Sequence, residues 1–331
     1  MPYEIITTLG PSSTAAPVWA EMRQAGATAF RLNTAHLTLD ALAEWLEKLE
    51  RFFASYGRVP LALDLQGSKW RLGLFPARAM AAGEVVTLAL AEHSDQPHVL
   101  PVPHADFFRA AQHSSDTLVL NDAKVRLRVE HIQAGMLLAR VVQPGPLGPR
   151  KGITYTQSAY RVEGWGARDQ AVLEASRGME QVCYAISYVK DAEEMRRYHA
   201  LCRTVLGRPA PLIAKLERPQ AMAEAHTVGK ACGPEGAVWV CRGDLGAEMG
   251  LAGMARAVAT LTRQVMALPV PALLAGQVLE HMTLAPTPTR SEVCAIYDAL
   301  ASGYRGIVLS DETAVGPYPV ESTRAAALFQ D

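Results

Sequence analysis

Short apolar, β-branched runs alternate along this chain with longer segments in which apolar residues recur every three or four positions. The runs fall at residues 4–9, 27–32, 59–64, 181–187, 211–216, 237–241, 270–274 and 305–309, lengths that suit buried strands. Between them, Leu39, Leu42, Leu46, Leu49 and Phe53 form one stripe of a helix over 39–55, and residues 192–206 and 253–267 repeat the helical pattern. Eight such alternations predict a (β/α)8 barrel or a long doubly wound sheet. The spacing is regular except after the third strand, where residues 65–180 intervene before the fourth.

That gap has its own pattern. Runs at 85–90, 117–120, 125–129 and 136–142 read as short strands, punctuated by Gly83, Gly135 and Gly145-Pro146. The expected organisation is a discontinuous barrel domain, residues 1–72 and 151–331, with a small β-barrel-like domain, residues 73–150, inserted at the C-terminal end of the third strand. There it would act as a lid over the face where barrel enzymes keep their chemistry.

Composition narrows the class. With 32 Lys+Arg against 33 Asp+Glu the net charge is −1, without the basic excess of a nucleic-acid binder. Hydrophobic residues at 49% and charged residues at 20% suit a large folded core. The least charged stretch, 265–279, is interrupted by Pro269, Pro271 and Gln277 and is too short to cross a bilayer. The opening Met1-Pro2-Tyr3-Glu4 lacks the basic start of a secretory signal. Five cysteines without a C-x-x-C pair read as reduced thiols. A cytoplasmic α/β protein is expected.

Polar residues interrupt the apolar runs at their C-terminal ends: Arg31 and Asn33, Asp64, Lys215 and Glu217, then Arg242, Gly243 and Asp244 after the sixth run. Residues two apart on a strand share a face, so Lys215 and Glu217 point the same way. Burying both demands that they pair or bind something. They read either as a strand-end salt bridge or as a metal carboxylate beside a catalytic cation. Glu217 and Asp244 follow neighbouring strands, and two oxygen ligands of this kind suit Mg²⁺. Gly243 and Gly246 flank Asp244 at a strand-to-helix turn, where bare backbone N–H groups can meet an anion. Neither G-x-G-x-x-G nor G-x-x-x-x-G-K-[ST] occurs.

Longer motifs then line up in order: Thr8-Leu9-Gly10-Pro11, Arg31-Leu32-Asn33-Thr34-Ala35-His36, Asp64-Leu65-Gln66-Gly67-Ser68-Lys69-Trp70-Arg71, Lys151-Gly152, Ala214-Lys215-Leu216-Glu217, Arg242-Gly243-Asp244-Leu245-Gly246, Gln277-Val278-Leu279-Glu280, Pro286-Thr287-Pro288-Thr289-Arg290 and Leu309-Ser310-Asp311-Glu312-Thr313-Ala314. Over nearly its whole length the chain resembles pyruvate kinase. The resemblance implies that Glu217 and Asp244 hold a divalent metal, Mg²⁺ or Mn²⁺. Lys215 and Arg31 would meet the transferring phosphoryl group. Backbone N–H groups at Gly243 and Asp244 would take the carboxylate of phosphoenolpyruvate or a related 2-oxo acid. Asn33, His36, Arg71 and Lys151 would lie along the phosphates of ADP or ATP.

Departures from the family pattern qualify this. Gly276 stands where the family has a threonine beside the substrate, and the choice between drift and a different 2-oxo acid is open. Ala35 and Leu65 replace two hydroxyl residues of the monovalent-cation site, while Lys69 stands in place of a glutamate. The expectation is that the Lys69 ammonium substitutes for K⁺, so that K⁺ is not required. Arg218 replaces the usual asparagine and Asp311 a glycine. The family's C-terminal regulatory domain has no counterpart here, so effector control through it is not expected, and a homodimer through the barrel is. Two other functions use the same residues: a metal-dependent 2-oxo acid lyase or decarboxylase, and a non-catalytic binding protein.

Overall fold

In the computed structural model, residues 3–112, 114–121, 123–156 and 166–330 are described, and the remaining positions of the expected barrel and insert lie outside the described residues. Eight parallel strands close into a barrel: β1 (Glu4–Leu9), β2 (Ala29–Asn33), β3 (Leu61–Leu65), β4 (Val182–Ile186), β5 (Leu212–Leu216), β6 (Ala237–Cys241), β7 (Ala272–Ala275) and β8 (Gly306–Leu309). Each pairs with its sequence neighbours, and β1 with β8 completes the ring. The (β/α)8 expectation holds, and the doubly wound alternative does not, because the sheet has no edge.

Period-two alternation divides every strand between two cores. One set of side chains faces the helices. The other fills the barrel with Ile6, Ala29, Ala62, Ala185, Ile213, Trp239, Cys241, Leu273, Ala275 and Val308. Four alanines in this set leave the volume that the Trp239 indole occupies, at 1% exposure. Two residues further along each strand, the same inward register delivers Thr8, Arg31, Asp64, Ser187 and Lys215 to the C-terminal end.

The helices follow the hydrophobic stripes with adjustments. Leu39–Tyr56 is capped by the Thr38 hydroxyl, which accepts from the Ala41 N–H. It buries Leu42, Leu46, Leu49 and Phe52. Phe53, expected in that stripe, is only half-buried, and Leu39 is exposed. At 100° per residue, position 53 continues the 42–46–49 line better than 52, so the burial of Phe52 follows from its ring contacts with Trp19 and Phe30 and not from the period. After β6 a helical segment begins at Arg242, and the helix expected over 253–267 falls on its part beyond Gly250 and on the following turn Val265–Ala267. The segment runs to Thr262 with a break at Gly250, whose φ of 72° is non-helical.

Two compact units emerge, formed by the described residues within Met1–Gly67, Trp165–Arg242 and Arg256–Asp331, and within Ser68–Gly164 and Gly243–Ala255. The second carries a six-stranded sheet in the order Ile153–Tyr155, Thr117–Leu120, Val125–Gln133, Met136–Gln143, Val85–Ala89 and Val99–Pro101. A two-stranded ribbon, Arg78–Met80 with Gly145–Leu147, accompanies it. Gly145-Pro146 therefore lies in a strand, not a turn. A two-stranded ribbon has open edges, where a residue without an N–H is tolerated. Trp70, Phe107 and Tyr155 pack at the centre of this unit's own core. Among the described residues no helix is long and apolar enough to cross a membrane.

The exit of β3 is fixed from two sides. The buried Asp169 carboxylate accepts from the Gln66 and Gly67 N–H groups at 3.0 Å each and from the Tyr198 hydroxyl at 3.0 Å. Gly67 has φ 61°, and a Cβ there would come within 2.0 Å of the Ser187 carbonyl oxygen. Gly67→Ala should therefore cost roughly 2 kcal/mol or more. Urea unfolding checks this, and a wild-type midpoint would show that the β3–β4 contact is not rigid.

Candidate active site

At the C-terminal end of the barrel interior the inward polar residues join into one network. Arg31, from β2, donates through Nε to Asp64 Oδ2 at 2.9 Å and through a terminal nitrogen to Thr8 Oγ1 at 2.8 Å. Its guanidinium carbon lies 5.9 Å from the centre of the Trp239 ring. Lys215, from β5, donates to Ser187 Oγ at 2.9 Å and contacts Asp64 Oδ2 at 3.1 Å and Glu217 Oε1 at 3.0 Å. Ser187 donates to Asp64 Oδ1 at 3.0 Å. The second oxygen of Glu217 accepts from the Tyr188 N–H at 2.6 Å. Arg31, Asp64, Lys215 and Glu217 are all buried.

Two cations and two carboxylates so balance one another, and their proton affinities reflect it. Burial alone would raise the Asp64 carboxyl, but Lys215 and Arg31 outweigh burial and hold it at about 2. Burial pushes the Lys215 ammonium down, and Asp64 with Glu217 reverses this, leaving it raised. Arg31 is raised in the same way by Asp64. The neighbouring Cys241 thiol is pushed well up, by burial first and Glu217 second. It stays protonated and is no nucleophile.

The other expected residues fall elsewhere. Asn33 ends β2 half-buried and makes no hydrogen bond in this network, and His36 is exposed in the turn after it. Within the second unit, Lys69 places its ammonium 2.7 Å from both oxygens of Asp244. The Lys69 side chain passes over Gly152, where a Cβ would come within 2.4 Å of Lys69 Cε. Arg71 pairs by backbone with Gly152 and donates to the Arg150 carbonyl at 3.0 Å. Its buried Nε has no partner among the described residues. Lys151 is half-buried, with its carbonyl accepting from the Leu72 N–H at 2.9 Å. Gly243 lies in the first turn of the helix that starts at Arg242, with open space around its α-carbon.

Gly276 stays outside the network. Its carbonyl accepts from Arg242 at 2.7 Å, and that of Gln277 at 2.9 Å. Both residues are left-handed, with φ 81° and 55°. The left-handed backbone at position 276 favours glycine.

Sequence reasoning left Thr8, Asp64, Ser187 and Tyr188 without roles. The signal for the first three was present. Each stands two positions beyond an interior apolar residue, Ile6, Ala62 or Ala185, and so on the same face.

The sequence compares directly with known proteins. It matches the family described as pyruvate kinase, barrel domain, over residues 2–323. The chain belongs to the pyruvate kinase family. It is 31% identical over 326 residues to the pyruvate kinase of Aeropyrum pernix, covering 98% of this chain and 69% of that protein. It is 31% identical over 322 residues to that of Methylorubrum extorquens, covering 96% and 66%. With a pyruvate kinase of Agrobacterium vitis the identity is 29% over 323 residues, covering 96% and 65%. The chain thus spans about two thirds of the length of these pyruvate kinases, and the match takes in both the barrel and the inserted sheet.

Two outcomes follow. Asp64 is more acidic folded than its ordinary 3.8, so its contribution is full above pH 4 and is lost as pH falls from about 4 towards 2. That component should be about 2 kcal/mol in urea unfolding across this window. It should vanish in Asp64→Asn, which also loses roughly 3 kcal/mol at pH 7 because two buried cations lose their counter-charge. An unchanged acid limb in that variant would contradict the assignment. Gly276→Thr should cost about 1–2 kcal/mol through the left-handed backbone, and a thermal midpoint equal to wild type would contradict that.

Proposed function

We propose that this protein transfers a phosphoryl group between phosphoenolpyruvate, or a related enol phosphate of a 2-oxo acid, and a nucleoside diphosphate. The observation that carries this reading is Lys215, a buried ammonium held between Asp64, Ser187 and Glu217 beside the Arg31 guanidinium. Phosphoryl transfer asks the protein for positioned positive charge around three phosphoryl oxygens and little covalent work. Lys215 and Arg31 supply that charge, and Asp64 prevents either from swinging away. The bond from phosphorus to the enol oxygen breaks and one to a terminal oxygen of the diphosphate forms. The enolate then takes a proton from solvent and becomes the 2-oxo acid.

The carboxylates also suit a divalent ion. Among the described residues no three acidic, histidine or cysteine side chains gather, so the protein offers single carboxylates and not a closed cage. Mg²⁺ accepts one or two carboxylates and completes its shell with water and substrate oxygens. Glu217 presents two carboxylate oxygens, Oε1 at 3.0 Å from the Lys215 nitrogen and Oε2 accepting from the Tyr188 N–H. We assign Glu217 and Asp244 as the protein ligands. The ion, Mg²⁺ or Mn²⁺, would neutralise phosphate and enolate charge when bound. The unpartnered Nε of Arg71 favours a nucleotide phosphate as its occupant, with Asn33, His36 and Lys151 as further contacts. Backbone N–H groups at Gly243 and Asp244 take the substrate carboxylate in this reading, as a helix N-terminus can.

Independence from K⁺ belongs to the same proposal. Ala35 and Leu65 are buried at 2% and 0% exposure and present no side-chain oxygen. Lys69 brings a fixed positive charge that needs no dissolved cation.

Pyruvate release from phosphoenolpyruvate and ADP with Mg²⁺ should proceed equally in K⁺ and Na⁺. Lys215→Met should lower turnover at least about a hundredfold. Turnover retained by that variant would remove Lys215 from the chemistry. Consumption of a 2-oxo acid without nucleotide, with no phosphoryl transfer, would replace the proposal with a lyase.

A further inference from the structure

Arg218 follows Glu217 directly and caps the short helix Pro219–Ala223. It is completely buried, at 0% exposure, a costly placement for a cation unless its surroundings compensate. Its guanidinium carbon lies 5.3 Å from the centre of the Tyr188 ring. Tyr188, itself buried, is the second residue beyond β4, and its backbone is left-handed at φ 61°. Bulky residues seldom adopt that conformation unless the surroundings impose it.

The left-handed turn has a use. It sends the Tyr188 N–H to Glu217 Oε2 at 2.6 Å, while the preceding Ser187 hydroxyl serves Asp64 and Lys215. Gly67 braces the same turn from the β3 side, against the Ser187 carbonyl. The Tyr188 ring is braced by Arg218.

We propose that Arg218 is a positioning residue. Its guanidinium over the Tyr188 ring holds the Ser187–Tyr188 turn left-handed and keeps the Tyr188 N–H aimed at the Glu217 carboxylate. The attraction between a cation and a ring face strengthens when water is excluded, as it is here. A planar guanidinium suits a ring face better than a compact ammonium does. Arg218 thereby orients the neighbouring carboxylate through another residue, without touching substrate. Its consequence for metal affinity rests on the reading of Glu217 as a ligand.

The test uses the full chain with Arg218→Met, Arg218→Lys, Tyr188→Leu and Tyr188→Phe. Two quantities are read: amide hydrogen exchange in the 187–188 segment, and Mn²⁺ affinity by paramagnetic resonance. Arg218→Met and Tyr188→Leu should each speed exchange in that segment by about tenfold relative to the amides of β1. Both should weaken Mn²⁺ binding by about tenfold, as loss of a residue that orients a ligand does. Arg218→Lys should fall between these and wild type, and Tyr188→Phe, which keeps the ring, should retain slow exchange. Wild-type exchange in both Arg218→Met and Tyr188→Leu overturns the proposal. So does faster exchange spread evenly over the barrel, which marks general destabilisation. If Arg218→Met does not fold, the two Tyr188 variants decide. If the wild-type chain binds no Mn²⁺, the ligand assignment of Glu217 fails, and exchange alone still judges Arg218.

Discussion

Asp64 must keep two buried cations ionised at once. Arg31 and Lys215 both reach it from other strands, at 2.9 and 3.1 Å. Without it, two positive charges would share a space from which water is largely excluded, at several kcal/mol each. With it and Glu217 the set is neutral. Each member is stable only because the others are present. The register of β2, β3 and β5 is therefore constrained as a unit, since a slip of one residue would turn a charge into the helical layer.

The apolar filling of the barrel sets the conditions for that network. Trp239 occupies the space left by alanines on β2, β3, β4 and β7, with Arg31 over its ring. A packed interior below the charges keeps water from approaching from that side, and the low dielectric strengthens every hydrogen bond in the network. The same low dielectric raises the cost of an unpaired member. A site so arranged is rigid before substrate arrives, which is what electrostatic stabilisation of a transferring phosphoryl group requires.

The second unit applies the same rule with fewer groups. Lys69 and Asp244 neutralise each other, and Gly152 exists as glycine because the lysine stem passes over it. Lys69 is 175 residues from Asp244 in sequence. The pairing explains how a lysine can be tolerated at 6% exposure.

Much of the architecture was legible in the sequence because it depends on local periodicity. Alternation located the eight barrel strands, and period two placed Lys215 and Glu217 on one face. Strands such as Arg78–Met80 and Ile153–Tyr155 escaped because three residues carry no readable period, and their pairing comes from partners far away. The shared burial of Arg31, Asp64 and Lys215 could not be read from any window. Asp64 alone looks like a polar strand end, and its partner Lys215 lies 151 residues on. Left-handed backbone at Tyr188 and Gln277 was equally hidden, since neither residue type favours it and only surrounding contacts impose it. Sequence determined which residues alternate, and hence which face each side chain takes. The side-by-side pairing of β2, β3, β4 and β5 decided which charges meet, because only the assembled, curved sheet brings strand ends that are distant in sequence within hydrogen-bond reach.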